Sequence, residues 1–342
     1  MKSGSGSLSR YLLVRMLLVV PMMWVVLTVI FFLLRVAPGD PVSAAFGGRL
    51  DEDALNVRRA ALGLDRPLVV QYLEYLGDVA RLDFGNTISD NRPVLDVIRD
   101  QGGATLTLTL GAFLFALLIG LPLGRLAGRH RDSGADATIR IFGVVSYAAP
   151  IFWVGIMLVL LVVKFFPGWP TYDIASTVTK FTVQPRTHIL LVDAFLSGNG
   201  AAVTDVLKHH VLPCVTLGLL LSGVIIRLVR INVIQAMKGD YVEAARARGI
   251  PERRVVRRHA FRNALVPVIT VIGLQVALTL GGAVLTERTF NWPGIGTELI
   301  QYINARDYIA LQGLVTFFAL IVVIVSVLVD ILNALVDPRV RY

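Results

Sequence analysis

The sequence has few of the residues that stabilise or solubilise ordinary domains. Its single cysteine, Cys214, excludes an intramolecular disulfide and a thiolate zinc site. Only 17% of the residues are charged, whereas 55% are hydrophobic and the mean hydropathy is +0.68. Such a composition excludes an ordinary soluble domain. It also excludes disorder, because the chain has ample apolar surface to bury.

Six long stretches contain no Asp, Glu, Lys or Arg. They cover residues 16–34, 101–124, 141–163, 211–226, 263–286 and 308–329. A helix needs about 20 residues to cross the hydrocarbon of a bilayer. Five stretches reach about that length, and the shorter fourth is extended by Leu228 and Val229, with Arg227 and Arg230 able to snorkel. Because lipid admits only helices or closed barrels, the sequence predicts an all-α polytopic membrane protein with six transmembrane helices.

The basic residues are concentrated on one side of these predicted spans. Residues 1–15, 125–140, 227–262 and 330–342 hold 19 Lys and Arg against 7 Asp and Glu, and the other connections hold 14 against 17. The positive-inside rule therefore predicts that both termini are cytoplasmic, in a plasma or inner membrane. The net charge of +9 belongs to a membrane face, so nothing favours nucleic acid as a partner.

We expect three regions along the chain. Residues 1–35 form a cytoplasmic tail and the first span, 36–104 an extracytoplasmic loop module, and 105–342 a five-helix core with a cytoplasmic loop at 231–262. In the module, Pro67 is expected to open a helix with one apolar face. Trp292, in the last extracytoplasmic loop, suits the headgroup layer.

The cytoplasmic loop contains the most specific local pattern. Asp240 is expected to cap a short helix, and Glu243 completes a capping-box-like pair. Gly249 supplies a left-handed C-terminal residue, and Pro251 begins the next helix. A solvated loop would account for the arginines in this region. It would not account for a short, alanine-rich helix with defined ends, so the pattern favours a docking element.

The run Glu243-Ala244-Ala245, followed three residues later by Gly249, resembles the EAA loop of ABC importer membrane subunits. The surrounding sequence resembles more specifically the dipeptide/oligopeptide permease family. The supporting stretches are residues 37–41, 63–67, 71–72, 149–153, 262–267, 290–296 and 337–342. Their order over about 300 residues carries the resemblance, because each short stretch is weak by itself.

This resemblance implies a type I importer transmembrane domain that forms half of a channel. In that family the EAA helix inserts into an ATP-binding subunit and couples its closure to the membrane helices. The implied coupling residues are Asp240, Tyr241, Glu243, Ala244, Ala245, Arg246, Arg248 and Gly249. The implied partners are a second homologous permease subunit, two ATP-binding subunits and an extracytoplasmic substrate-binding protein that delivers peptide.

The sequence contains no Gly-Lys dipeptide and therefore no phosphate-binding loop of the Gly-Lys-Ser/Thr type. We accordingly expect no catalytic residue and no directly bound cofactor in this chain. ATP and Mg²⁺ would be bound by the partner subunits.

The translocation path is less readable from the sequence. Uncharged polar residues within the spans could line a wet pathway, although such residues more often bond neighbouring helices. The candidates are Thr105, Thr109, Ser146, Thr216, Gln275, Thr279 and Gln312. Gln275 is the strongest, since a large amide in mid-span needs partners. Asp330 is expected to pair with a cytoplasmic arginine rather than to relay protons.

Other functions find less support. The pair His209-His210 has no nearby cysteine and no third clustered histidine, which argues against a metal site. A secondary transporter commonly shows inverted repeats and paired intramembrane charges, and no convincing repeat relates the two halves. A membrane enzyme would need a polar catalytic cluster at the bilayer surface. Peptide is the substrate that the resemblance implies, with nickel, glutathione-like compounds and oligosaccharides as alternatives.

Overall fold

The computed structural model describes residues 5–36, 40–46 and 51–336, and these residues form helices joined by short connections. The only β pairing among them is an isolated bridge between Asn86 and Pro93. The helices are α1 (Ser5–Val36), α2 (Pro41–Phe46), α3 (Glu52–Ala61), α4 (Leu68–Ala80), α5 (Val94–Arg129), α6 (Gly134–Ala148), α7 (Ile151–Phe165), α8 (Thr177–Thr182), α9 (Leu190–Leu196), α10 (Gly200–Ala236), α11 (Asp240–Ala247), α12 (Glu252–Arg254), a π-helical turn (Val255–Ala260), α13 (Phe261–Phe290), α14 (Ile295–Asn304) and α15 (Tyr308–Val336).

Four helices within the described residues are long and apolar enough to cross a membrane: α1, α5, α10 and α15. The pair α6 and α7 makes a fifth if both belong to one broken span. Helix α13 has 30 residues, and several of its side chains lie outside the described part of the chain. The prediction of a polytopic helical membrane protein is thus confirmed at the level of four to five apolar spans.

The third predicted span is not one continuous helix. Helices α6 and α7 meet at a bend of 108°, and Ala149 between them is extended, with φ −69° and ψ 134°. Pro150 explains the break, because proline cannot donate a helical hydrogen bond and disfavours the helical conformation of the residue before it. The stretch 141–163 is apolar, as predicted, but it is divided between two helices that meet at a bend.

The centre of the fold is the parallel pair α5 and α10, which pack closely along their length. Glycines on α5 face branched side chains on α10. A Cβ added at Gly124 would lie 2.7 Å from the Cβ of Val229, and one at Gly128 would lie 2.8 Å from that of Val233. Small residues let two helix backbones approach closely where lipid supplies no hydrophobic driving force between helices.

Two sides of the bundle follow from these contacts. The side that holds the end of α10, α11 and the start of α13 is called here the coupling-loop side, and the opposite side is called the distal side. Arg15 and Asp330 form an ion pair at 3.3 Å on the coupling-loop side, which confirms the partner expected for Asp330. On the same side, the fully buried carboxylate of Asp136 accepts two bonds from Arg230, at 2.6 and 2.8 Å.

The module formed by α2 to α4 is attached to the distal ends of α1 and α15. Tyr72 and Tyr75 of α4 pack against the ring of Phe31, and the Tyr75 hydroxyl lies 2.7 Å from that of Thr316. Pro67 lies directly before α4, which begins at Leu68. Leu68 is exposed, whereas Gln71 and Val79 are buried. The face that α4 buries is thus partly polar.

Candidate functional site

The coupling loop contains a separate short helix, as the sequence predicts, but its N-terminus differs from the prediction. Helix α11 begins at Asp240, the cap is Gly239 with φ −79° and ψ 145°, and no side chain bonds the cap. The capping box expected from Asp240 and Glu243 is therefore wrong. Because Gly239 takes the extended cap conformation, Asp240 and Glu243 lie within the first turn. Their charges there still favour the helix through its dipole.

The C-terminus of α11 has the predicted left-handed glycine. Gly249 has φ +75°, its N–H donates to the Arg246 carbonyl at 2.8 Å, and the Ile250 N–H donates to the Ala245 carbonyl at 3.3 Å. These bonds satisfy carbonyls that the end of a helix leaves open. The half-buried Ile250 also packs beside α11. The helix is consequently terminated by its own sequence.

Helix α11 presents most of its surface to solvent. Val242 and Ala245 face inward and pack with Val255 and Ala260 of the π-helical turn. The remaining residues implied by the resemblance are exposed: Asp240, Tyr241, Glu243, Ala244, Arg246, Arg248 and Gly249. Ala245 is thus the one buried member of this set of eight, and it packs α11 against the π-helical turn.

An ion pair links α11 to the residues that follow it. The guanidinium of Arg246 donates to the carboxylate of Glu252 through two bonds, at 3.0 and 2.7 Å. The hydrogen bond from Arg246 lowers the pKa of Glu252 and holds it ionised. Both side chains are exposed, so this bidentate pair contributes little stability. The pair connects the side chains of α11 and α12.

Helix α11 also packs on a segment that runs without interruption into the bundle. The π-helical turn Val255–Ala260 passes directly into α13, which extends to Phe290 on the distal side. π-Helical turns inside helices occur frequently at functional sites. Val242 and Ala245 therefore connect α11 by packing to the turn that leads into α13.

Comparison with known proteins agrees with this architecture. The family model described as the binding-protein-dependent transport system inner membrane component matches residues 120–342. The model of the N-terminal part of such membrane components matches residues 8–109. The chain belongs to this family of transport membrane components.

Individual members of the family align with almost the whole chain. The di/tripeptide transport system permease protein DppB of Pseudomonas aeruginosa is 38% identical over 96% of this chain and 97% of its own. The dipeptide permease DppB of Escherichia coli is 36% identical, covering 97% and 99%. The glutathione permease GsiC of Salmonella choleraesuis is 32% identical, also covering 97% and 99%.

A solved structure shares the fold of this family member. The inward-facing MetNI methionine ABC transporter contains a chain that matches with a TM-score of 0.52 and 14% identity, covering 68% of this chain and 93% of that chain. At this identity the likeness concerns the fold alone.

The residues proposed for the translocation path lie in different settings. The hydroxyls of Thr216 and Thr279 donate within their own helices, to the carbonyls of Leu212 at 2.8 Å and Gln275 at 2.5 Å. Such bonds favour packing over a wet path. Thr105 is also buried, and its hydroxyl donates to Glu287.

The other path candidates are Thr109, Gln275, Ser146 and Gln312. The hydroxyl of Thr109 is buried without a hydrogen-bond partner, and Gln275 is half-buried with no side-chain partner among the described residues. Ser146 is half-buried on α6, and Gln312 lines a cavity on the distal side. Among the seven candidates for the translocation path, the only hydrogen bond between described residues is the one from Thr279 to Gln275.

A buried carboxylate on the distal side was not predicted. Glu287 is fully buried. Its carboxylate accepts the Thr105 hydroxyl at 2.7 Å and the Thr297 N–H at 2.9 Å, with a further backbone bond from Gly296. Glu287 thereby joins the residues after α13 to Thr105 within α5.

Trp292 completes this cluster and corrects a second expectation. Its side chain is fully buried rather than placed in the headgroup layer. The indole Nε1–H donates to the Ala104 carbonyl at 3.0 Å. The ring of His210 lies edge-on to the indole, with 4.6 Å between the ring centroids. The feature of the sequence that could have indicated the buried Glu287 is the pair Gly294 and Gly296. A Cβ at either glycine would clash with the Glu287 carboxylate.

Proposed function

We propose that this chain is the membrane-spanning permease subunit of an ATP-driven ABC importer. It forms half of a channel for peptides that an external binding protein delivers. The observation that carries this proposal is the terminated, exposed α11 packed on the base of α13, in a chain that belongs to the binding-protein-dependent transport family. The exposed residues of α11 and Gly249 contact an ATP-binding subunit, and Ala245 transmits the contact inward.

The proposal includes the topology and the composition of the complex. With α13 as the sixth crossing, the coupling-loop side is cytoplasmic and so are both termini, as the positive-inside rule supports. A second homologous permease completes the channel, and two ATP-binding subunits bind ATP and Mg²⁺ on the cytoplasmic side. The complex lies in the plasma or inner membrane, and the distal side receives the binding protein.

Peptide is the proposed substrate because the relatives that align over nearly the full length include di- and tripeptide permeases. A glutathione-like compound is the second candidate, supported by the 32% identity to a glutathione permease. Glutathione is itself a short peptide derivative, so both candidates share the chemistry of a small zwitterion with amide bonds. Nickel and oligosaccharides receive no comparable support from these relatives.

Uptake by the reconstituted complex tests the function. The chain is assembled in vesicles with its partner permease, ATP-binding subunits and binding protein, and labelled dipeptide and labelled glutathione are supplied in separate arms. We expect uptake of dipeptide that requires ATP and is unaffected when a proton gradient is collapsed. Uptake that persists without nucleotide and follows the proton gradient would contradict the proposal. Uptake of glutathione alone would favour the second substrate.

Labelling of single cysteines tests the topology separately. Cys214 is buried, so a cysteine introduced at exposed Ala244 or Thr182 is the principal reactive thiol. In intact cells, a membrane-impermeant maleimide should label Thr182→Cys and leave Ala244→Cys unlabelled. The reverse pattern would place α11 on the wrong face for an ATP-binding partner.

A further inference from the structure

A cavity of about 370 Å³ lies on the distal side, away from the coupling loop and from the Glu287 cluster. It is an open cavity bounded by the end of α1, the end of α3, one face of α4, the segment after α4 and the start of α15. Its polar lining includes Arg35, Gln71, Glu74, Asp78 and Gln312. A volume of this size is within the range that proteins use to bind small molecules.

The charges on the cavity wall are not all paired with one another. Glu74 forms an ion pair with Arg66, and the carboxylate of Asp83 accepts the Gly85 N–H at 2.9 Å. Within the described part of the chain, neither Arg35 nor Asp78 forms an ion pair with another residue. Among the described residues, the cavity wall therefore carries one unpaired cation, Arg35 on α1, and two exposed carboxylates without an ion pair, Asp78 on α4 and Asp83 after it.

Two of the residues that line the cavity, Arg35 and Gln71, carry buried polar atoms that the described residues leave without a hydrogen bond. The Nε of Arg35 and the Oε1 of Gln71 are buried and have no hydrogen-bond partner among the residues that the structure describes, and Gln71 is nine-tenths buried. The amide nitrogen of Gln71 is already used, because it donates to the carbonyls of Leu64 and Arg66. Gln71 is thus held with its carbonyl oxygen as the free acceptor.

Leaving such groups unpaired is costly. A buried acceptor or donor without a partner destabilises a protein by about 1–3 kcal/mol, and a charged group by more. The ring of Phe31, 5.4 Å from the guanidinium carbon of Arg35, compensates only partly. A ligand that carried an ammonium group and an anionic group would satisfy both sets of atoms together.

We propose that this distal cavity binds a small zwitterion with a primary ammonium group and a carboxylate or phosphate group. The ammonium group donates to Asp78 and to the Oε1 of Gln71, and the anion accepts from the Arg35 guanidinium. An amino acid or short peptide has this chemistry, and so does the headgroup of an aminophospholipid. The cavity adjoins the distal end of α1, so both sources can reach it.

Ligand analogues test the proposal without altering the protein. Alanyl-alanine, its N-acetyl derivative and its C-terminal amide are titrated against the full-length chain in the assembled membrane complex, without the external binding protein or ATP. We expect alanyl-alanine to bind, and each derivative to bind roughly ten- to hundredfold more weakly, because each lacks one charge-assisted interaction. Native mass spectrometry on complexes from mixed bilayers compares retained phosphatidylethanolamine with phosphatidylcholine.

Matched variants assign the contacts. Arg35→Gln should weaken alanyl-alanine about tenfold and leave the affinity for the amide unchanged, whereas Asp78→Asn should leave the affinity for the N-acetyl derivative unchanged. Arg81→Gln, an exposed position beside the cavity helix, is the control and should bind like the parent. If Arg35→Gln does not fold, as judged by gel filtration, the analogue titration on the parent protein decides.

The outcomes separate the two sources. Dipeptide binding indicates a soluble zwitterion, and selective retention of phosphatidylethanolamine that Arg35→Gln and Asp78→Asn abolish indicates a lipid headgroup. The proposal is overturned if neither probe binds the parent, or if both variants bind like Arg81→Gln. Because this assay needs no transport, its failure leaves the importer proposal intact, and failure of ATP-driven uptake leaves the distal cavity unaffected.

Discussion

Removing the carboxylate of Glu287 should destabilise the distal end of the bundle. Glu287→Ala leaves the N–H groups of Thr297 and Gly296 and the hydroxyl of Thr105 without their acceptor. Each buried donor without a partner costs about 1–3 kcal/mol. The Thr105 hydroxyl can rotate to another acceptor, so the two backbone amides set the scale. We expect a loss of about 2–6 kcal/mol in the free energy of unfolding.

Two comparison variants define the cause. Glu287→Gln keeps the shape but replaces one acceptor with a donor, so we expect a smaller loss, about 1–3 kcal/mol. The control is Glu298→Ala, because the Glu298 carboxylate is only half-buried and accepts one long bond, at 3.3 Å from Gln101. It should unfold like the parent. Denaturant unfolding in detergent, followed by far-ultraviolet circular dichroism, measures all three.

A double-mutant cycle with Gly294 tests the packing directly. A Cβ at Gly294 would lie 2.2 Å from the Oε1 of Glu287, so Gly294→Ala should be strongly destabilising in the parent. In the Glu287→Ala background the obstacle is gone and the new methyl group fills the space. The cost of Gly294→Ala should therefore fall by at least about 1 kcal/mol, as expected for contacting residues. An equal cost in both backgrounds would refute the reasoning.

Two further predictions concern the coupling-loop side and the helix pair at the centre. Asp136→Ala should lower the free energy of unfolding by about 3–5 kcal/mol, because it leaves Arg230 without its buried partner, and Arg230→Gln should recover part of that loss in the double variant. Thermal unfolding in detergent is the readout, and no recovery would argue against the ion pair as the cause. Gly128→Leu should separate α5 from α10, because even a Cβ would lie 2.8 Å from that of Val233. Gly77→Ala, with nothing within 4 Å, is its control, and equal yields of folded protein from both variants would contradict the close approach.

Features that depend on local chemistry could be predicted from the sequence. The apolar stretches identified the long helices because length and composition decide whether a helix suits lipid. The left-handed conformation at Gly249 followed from its position between a helix and Pro251. The pairing of Asp330 with an arginine followed from the cost of a lone carboxylate near the membrane, whereas the identity of that arginine, Arg15, did not.

Features that depend on distant contacts could not be predicted. Trp292 was assigned to the headgroups because an exposed loop was assumed, whereas the Ala104 carbonyl, 188 residues away, accepts its indole N–H. The local sequence likewise places Glu287 in a connection, directly after the charge-free stretch 263–286. The predicted cap of α11 was wrong for a different reason. Gly239 adopts the extended conformation of a cap and takes the position that was expected for Asp240. In each case the deciding neighbour is absent from the local pattern.

Cross-linking in the assembled complex tests the central claim most directly. A cysteine at exposed Ala244 on α11 is compared with one at exposed Thr182 on the distal side, since the native Cys214 is buried. A short bifunctional maleimide should join Ala244→Cys to an ATP-binding subunit, with a yield that changes when ATP is added, and should not join Thr182→Cys to it. Absence of a cross-link from Ala244→Cys, in a complex that still contains the ATP-binding subunits, would contradict the role of α11 as the coupling element.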